Sequence, residues 1–182
     1  MELKTSRLKI REIVQTDLSD LMKTYNNLEV VKHLYLSPYP LTREETQEFI
    51  FQCGSEAKQK PRTNYNLGID FDGQVIGLVQ ILNLDKFQET AMLGFSLSEK
   101  YWGRGITTEA VREVIRFAFQ EQNLRRIDSE ANVENEGSNR VLRELGFCLE
   151  GTRIGYRKMK STGKIHDVHI YGLINLHKTS RN

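Results

Sequence analysis

The clearest pattern begins at residue 65. Tyr65, Leu67, Ile69 and Phe71 are apolar, and the positions between them are polar or small, the period-two signature of a strand with one buried face. Asp72-Gly73 follows as a hairpin turn. Residues 75–82 are almost wholly apolar, which predicts a central strand covered on both sides. In the next strand Ala91, Leu93, Phe95 and Leu97 mark one face, and Met92, Gly94 and Ser96 mark the other. Residues 7–13 alternate charged with apolar positions and read as an opening strand.

Between the first and second strands the spacing becomes helical. Thr16 is the expected N-cap of a helix through Asp17, Leu18, Leu21 and Met22. A short amphipathic stretch around residues 28–34 ends at Pro38 and Pro40, and Thr42-Arg-Glu-Glu45 is a capping box opening a helix through Phe49 and Ile50. Residues 107–122 carry apolar side chains at 111, 114, 115 and 118, again helical. A strand is predicted over 125–133, and a short helix over 138–145 with Ser138 as its N-cap and Gly146 as its stop. Residues 149–156 and 165–176 close the chain as a hairpin around Thr162-Gly163. A helix crosses between the fourth and fifth predicted strands, so those two must run parallel. The fold class is α/β, a mixed and mostly antiparallel sheet with helices on both faces.

Composition narrows the function classes. A chain of 182 residues, with no repeat and no Pro/Gly/Ser linker, reads as one domain over 1–182. Its 26 Lys+Arg against 24 Asp+Glu leave a net charge of +2, which argues against a dedicated nucleic-acid or membrane-surface protein. No apolar run approaches the roughly 20 residues that span a bilayer, and the start lacks a signal-peptide pattern. Cys53 and Cys148 form no Cys-x-x-Cys pair, so reduced thiols in a cytoplasmic setting are expected, with Cys148 buried at a strand start. His166 and His169 lie three apart on a predicted strand and therefore face opposite sides, so no metal site is expected of them.

The candidate chemistry lies in Tyr101-Trp102-Gly103-Arg104-Gly105-Ile106-Thr107-Thr108-Glu109, which joins a strand to a helix. Glycines there let several N–H groups point one way, and the helix start adds unpaired donors and a positive dipole end, an arrangement suited to a diphosphate. Taken alone, two glycines are more simply an ordinary tight turn. The stretch is neither a dinucleotide fingerprint, since Thr108 stands where a third glycine belongs, nor a P-loop, since no Gly-Lys-Ser/Thr follows. Glu109 would have to turn away from any bound anion. A second segment, Asn135-Glu-Gly-Ser138 with Leu145-Gly146-Phe147, offers by itself a turn residue and a helix cap.

Taken together these segments resemble the GNAT superfamily of N-acetyltransferases, and in particular its ribosomal-protein alanine/serine N-acetyltransferase-like branch. The resemblance runs from Thr5-Ser-Arg-Leu-Lys-Ile-Arg11, through Leu93-Gly94-Phe95-Ser96-Leu97 and the Gly103-Arg104-Gly105 loop, to His166-Asp167 with Tyr171-Gly172-Leu173. It implies the acyl-CoA N-acyltransferase fold, with acetyl-CoA as cosubstrate in a cleft where the fourth and fifth strands splay. It implies cofactor contacts at Phe95, Ser96, Leu97, Trp102, Gly103, Arg104, Gly105, Ile106, Thr107, Asn135 and Ser138. Acetyl would pass directly to an amine, a protein N-terminus foremost, with a polyamine, an amino acid, an aminoglycoside or a weakly catalytic CoA-binding role as alternatives. A homodimer fits the branch.

The departures fall on chemistry. Thr107 stands where a Gly or Ala is usual, Met92 where the branch carries a candidate base, and Leu142 where many members carry an acidic Tyr. Ser138 is then the remaining hydroxyl for protonating the thiolate, and Glu89 the nearby carboxylate for the amine. Arg125, Arg126, Arg140 and Arg143 are candidates for the adenosine phosphate or equally for solvated faces, and Arg153, Arg157, Lys158, Lys160 and Lys164 form an acid-free basic hairpin, by default solvated, whose sharper reading is a wall beside the acceptor site or a contact with RNA.

Overall fold

The computed structural model describes residues 1–176 and 178, so the last part of the expected 1–182 domain lies outside it. Eight strands join one sheet: β1 (Glu2–Lys4), β2 (Lys9–Glu12), β3 (Tyr65–Phe71), β4 (Gln74–Asp85), β5 (Thr90–Leu97), β6 (Arg126–Asn132), β7 (Cys148–Lys158) and β8 (Ile165–Ile174). Their order is β1-β2-β3-β4-β5-β6-β8-β7, antiparallel except for β5 against β6. The five helices are α1 (Leu18–Tyr25), α2 (Leu28–Val31), α3 (Arg43–Glu56), α4 (Ile106–Gln120) and α5 (Glu136–Glu144). Among the described residues no helix is long and apolar enough to cross a membrane.

Each face of the sheet carries its own core. Val79, Ile81, Leu93 and Leu97 pack under Ile106, Ala110, Val111 and Val114 of α4 and Leu142 of α5. Val75 and Leu78 pack against Leu21 and Tyr25 of α1, Val30 and Val31 of α2, and Ile50 and Cys53 of α3. The buried run of β4 thus supplies both cores, as its apolar sequence predicts. It changes sides on the way: Ile76 belongs to the first core, Leu78 to the second and Val79 to the first. Gly77 sits at the switch. A Cβ built there would lie 2.3 Å from the Ser96 carbonyl oxygen and 3.0 Å from Leu97 Cα, so only glycine lets β4 approach β5 this closely.

Several local expectations are corrected. Thr16 caps nothing; the chain enters α1 through a single 3-10 turn, Gln15–Asp17, and the Asp17 carboxylate accepts from the Val14 N–H at 2.8 Å. The same carboxylate holds Arg11 at 2.8 and 2.9 Å, a stronger tie than a hydroxyl cap provides. The short helix begins at Glu136 and not at Ser138, because Asn135 is its N-cap: its Oδ1 accepts from the Ser138 N–H at 3.1 Å. Cys148 is exposed, since it opens β7, the uncovered edge of the sheet, whereas Cys53 is buried. Strand β1, only three residues long, carries one buried side chain, Leu3.

Candidate functional site

β5 ends at Leu97, a 3-10 turn spans Glu99–Tyr101, and α4 starts at Ile106. Gly103 and Gly105 bridge the gap with φ of +72° and +69°, left-handed values that glycine adopts without strain. Gly105 is the N-cap residue itself. Among the described residues the backbone N–H groups of residues 103–108 donate to no group of the protein. Six amides in a row around two left-handed glycines and a helix start form an anion-binding concavity.

The loop is held from behind. Glu109 turns away from the concavity and accepts from the hydroxyls of Thr5 and Ser6, from the Arg7 amide, and from Arg7 Nε at 2.6 Å. Arg7 Nη1 donates in turn to the Arg104 carbonyl at 3.1 Å. Desolvation works to raise the Glu109 pKa, but the hydrogen bonds from Thr5 and Arg7 outweigh it and keep the carboxyl below its usual range. On the near side the Trp102 indole donates to the Leu97 carbonyl at 2.8 Å, fixing the loop to the end of β5.

A cavity of about 480 Å³ opens in front of these amides, within the range of small-molecule sites. It is lined by Phe95, Ser96 and Leu97 of β5, by residues 101–108, by Asn135 and Ser138 at the start of α5, and by Glu29, Lys32 and His33 from the α2 segment. The parallel ladder between β5 and β6 runs only from Thr90↔Arg126 to Leu93↔Ser129, where the Ser129 hydroxyl donates to the Leu93 carbonyl at 3.0 Å. β5 continues to Leu97 and β6 to Asn132.

The structure therefore brings together all the residues expected to contact cofactor: Phe95, Ser96, Leu97, Trp102, Gly103, Arg104, Gly105, Ile106, Thr107, Asn135 and Ser138 line one space. Two of them are partly committed elsewhere. The Trp102 amide is taken by the Glu99 carbonyl, and Asn135 Oδ1 by the α5 cap, which leaves the Asn135 amide nitrogen for a ligand. Arg140 also faces the cavity.

Other expected contributors are placed elsewhere. Glu89 precedes β5 at the end of the strand remote from the cavity, about six residues or roughly 20 Å of strand from Phe95, and its carboxylate pairs with Lys178 at 2.7 Å. Arg126 is spent on Asp128 and Glu150, and Arg125 on the Gln88 carbonyl. Two of the five cations of the basic hairpin are engaged within the protein: Arg157 binds Glu130 at 2.7 Å while stacking on Tyr35 and Tyr156, and Arg153 also faces Glu130. His166 meets Glu134 at 3.3 Å and His169 meets the Thr152 hydroxyl at 2.8 Å, separate partners on separate elements.

Two groups, one behind the cavity wall and one lining it, escaped sequence reasoning. Tyr25, at the end of α1, hydrogen-bonds the Ser96 hydroxyl at 2.5 Å, and burial drives its pKa upward. His33 reaches the cavity because the segment after α2 is tied to the β7–β8 turn, through the Ser161 hydroxyl on the Val31 carbonyl and the Lys160 amide on the Tyr35 carbonyl. No periodicity announces such contacts; only a lone histidine between Lys32 and Leu34 was visible.

Comparison with known proteins bears on this site. Over 172 residues the chain is 27% identical to the uncharacterized N-acetyltransferase p20 of Bacillus licheniformis, covering 94% of this chain and 95% of that one. It is 24% identical over 144 residues to the spermidine N(1)-acetyltransferase of Escherichia coli K12, covering 79% and 74% of the two chains. Its fold superposes on the ribosomal alpha-N-protein acetyltransferase RimL, solved in complex with coenzyme A, with a TM-score of 0.83 at 21% identity and coverage of 96% and 98%. The acetyltransferase (GNAT) domain matches residues 7–148, which include the loop, the cavity-lining part of β5 and α5. The chain belongs to the GNAT acetyltransferase family.

Proposed function

We propose that the protein transfers the acetyl group of acetyl-CoA directly to a protein N-terminal α-amine. The observation that carries the cofactor assignment is the row of six unspent amides at residues 103–108 facing the cavity. In this reading the diphosphate sits on those amides, where donors are fixed in advance and no hydrogen bond within the protein has to break on binding. The pantetheine arm passes the Asn135 amide and the backbone of residues 95–97, beyond the last rung of the parallel ladder. A backbone N–H of that strand stabilises the oxyanion as the amine attacks, and the Ser138 hydroxyl, half-buried at the cavity, protonates the leaving thiolate. Holding amine and thioester in contact supplies much of the acceleration.

The α-amine is favoured over lysine because β5 brings no carboxylate to the cavity: only Phe95, Ser96 and Leu97 of that strand line it. An α-amine has a pKa of about 8, so a sizeable share is already neutral near pH 7.5, whereas lysine at about 10.4 is almost wholly protonated. A polyamine is the second reading, favoured by Glu29, Glu134, Glu136 and Glu144 along the cavity and by the relationship to a spermidine acetyltransferase.

Labelled acetyl-CoA offered with spermidine, free lysine and peptides beginning in serine or alanine separates these readings. Label is expected on the peptide N-termini. Labelling confined to spermidine selects the second reading. Binding of CoA with no labelled amine from the whole panel would refute the transfer assignment.

A further inference from the structure

Acetylating a protonated amine requires a group that takes a proton from it before attack. The two positions expected to supply it do not: Met92 has nothing to titrate, and neither it nor Glu89 is among the cavity-lining residues, while the carboxylates that do line it, Glu29, Glu134, Glu136 and Glu144, are all exposed, with Glu29 paired to Lys32 and Glu134 to His166. His33 is among them, together with Phe95, Ser96 and Ser138.

Its environment is unusual for a structural histidine. Nδ1 is shut off from solvent and has no hydrogen-bond partner. Buried polar atoms are seldom left unpaired without a functional reason. Among the described residues no hydrogen bond engages Nε2 either, so nothing in the protein locks the tautomer. With Nδ1 enclosed and the ring only half-buried, Nε2 is the nitrogen left to meet a molecule in the cavity.

The charged surroundings come from three elements. Lys32 is the preceding residue, and Glu29 lies one helical turn back in α2, paired with Lys32. Glu134 comes from the β6–α5 connection and His166 from β8, joined to each other at 3.3 Å. Burial, then the neighbouring Lys32 and His166, lower the His33 pKa, and Glu134 and Glu29 offset them in part. The ring is therefore neutral and carries a free lone pair at neutral pH.

We infer that Nε2 of His33 is the proton acceptor for the incoming amine, an inference that rests on the acetyl-transfer reading above. The lone pair of Nε2 forms a bond to hydrogen as one ammonium N–H bond breaks. The freed nitrogen lone pair attacks the thioester carbonyl carbon, and the tetrahedral intermediate collapses with cleavage of the C–S bond. Nitrogen sheds two protons in all; one ends on the CoA thiolate, and the imidazolium passes the other to water. Glu134, whose side chain is 69% exposed and faces the same histidine pair, marks the exit. A base this weak suits an α-ammonium of pKa about 8 better than a lysine ammonium.

The test uses the full chain with acetyl-CoA and whichever panel acceptor the wild type labels fastest. His33→Gln, close in size but unable to take a proton, is expected to lower kcat by about 10²–10⁴-fold, with the acetyl-CoA Kd and Tm close to wild type. The wild-type kcat profile should fall on its acid side through a pKa below that of ordinary histidine, and that limb should vanish in the variant. Added imidazole should restore part of the rate to His33→Ala. Wild-type kcat with an unchanged acid limb in His33→Gln would overturn the inference, as would a loss confined to acetyl-CoA affinity or thermal stability. A wild type that binds CoA and labels no acceptor defeats the transfer reading itself, a failure recognisable because it precedes any substitution.

Discussion

Replacing Gly77 by alanine probes the link between the sheet and the cavity. The new Cβ would stand 2.3 Å from the Ser96 carbonyl oxygen, 3.0 Å from Leu97 Cα and 3.1 Å from a Leu97 methyl. Two of these three contacts are with backbone or its Cα, which no rotamer change can relieve, so β4 and β5 must separate by several tenths of an ångström. Overpacking of this kind costs about 1–3 kcal/mol, and a domain of this size loses roughly 2–4 °C of Tm per kcal/mol, giving a fall of roughly 2–12 °C. The strain lands on Ser96 and Leu97, which line the cavity and hold Tyr25 and Trp102. Misplacement approaching 1 Å at reacting groups can cost about 10²-fold, so kcat should fall along with stability. Thermal unfolding and acetyl transfer by Gly77→Ala, compared with Gly54→Ala, measure both. Gly54 lies in α3 with nothing within 4 Å of its would-be Cβ, and alanine there should stabilise by about 0.5–1 kcal/mol. Wild-type Tm and kcat in Gly77→Ala would refute the reasoning, and an equal fall in both variants would trace the effect to something other than the clash.

Three further outcomes are expected. Acetyl-CoA at 100 times its Kd should stabilise the fold by about 2.7 kcal/mol, and Gly105→Glu, which sets a carboxylate among the free amides at a left-handed position, should abolish that gain as read by ligand-dependent Tm. A thiol reagent at neutral pH should titrate exposed Cys148 quickly and Cys53 only after unfolding, because burial pushes the Cys53 pKa up to about 12 and leaves almost no thiolate; two fast thiols in the native protein would contradict this. Met92→Glu should leave transfer to lysine unchanged, since Met92 does not line the cavity; increased lysine turnover would place that position nearer the acceptor than the structure does.

Local pattern carried much of the architecture. The alternation over 65–71, the apolar run of β4 and the helical spacing of α4 are sheet-and-helix signals that burial reproduces directly. The parallel pairing of β5 with β6 followed from connection length alone. The glycine loop was legible because positive φ at a helix start leaves few residue types to choose from. Other features depended on which side chain won a competition. Asn135 and Ser138 can both cap a helix, and the choice went to Asn135, whose carbonyl also anchors the buried Asn139 amide. The basic hairpin looked free because Glu130 lies more than twenty positions away in sequence and reaches Arg153 and Arg157 only through the β6-β8-β7 pairing. His33 carried no local signal at all, since its place at the cavity is set by the contact between residues near α2 and the β7–β8 turn.

The clasp of Arg7 and Glu109 behind the glycine loop makes the amino-terminal turn a structural part of a site encoded about a hundred positions later. Trimming the first seven residues, or fusing a bulky leader that displaces them, would release the Arg104 carbonyl and the first turn of α4 together. Preparations differing only at that terminus would then differ in grip on the nucleotide end of their ligand, with every lining residue still present.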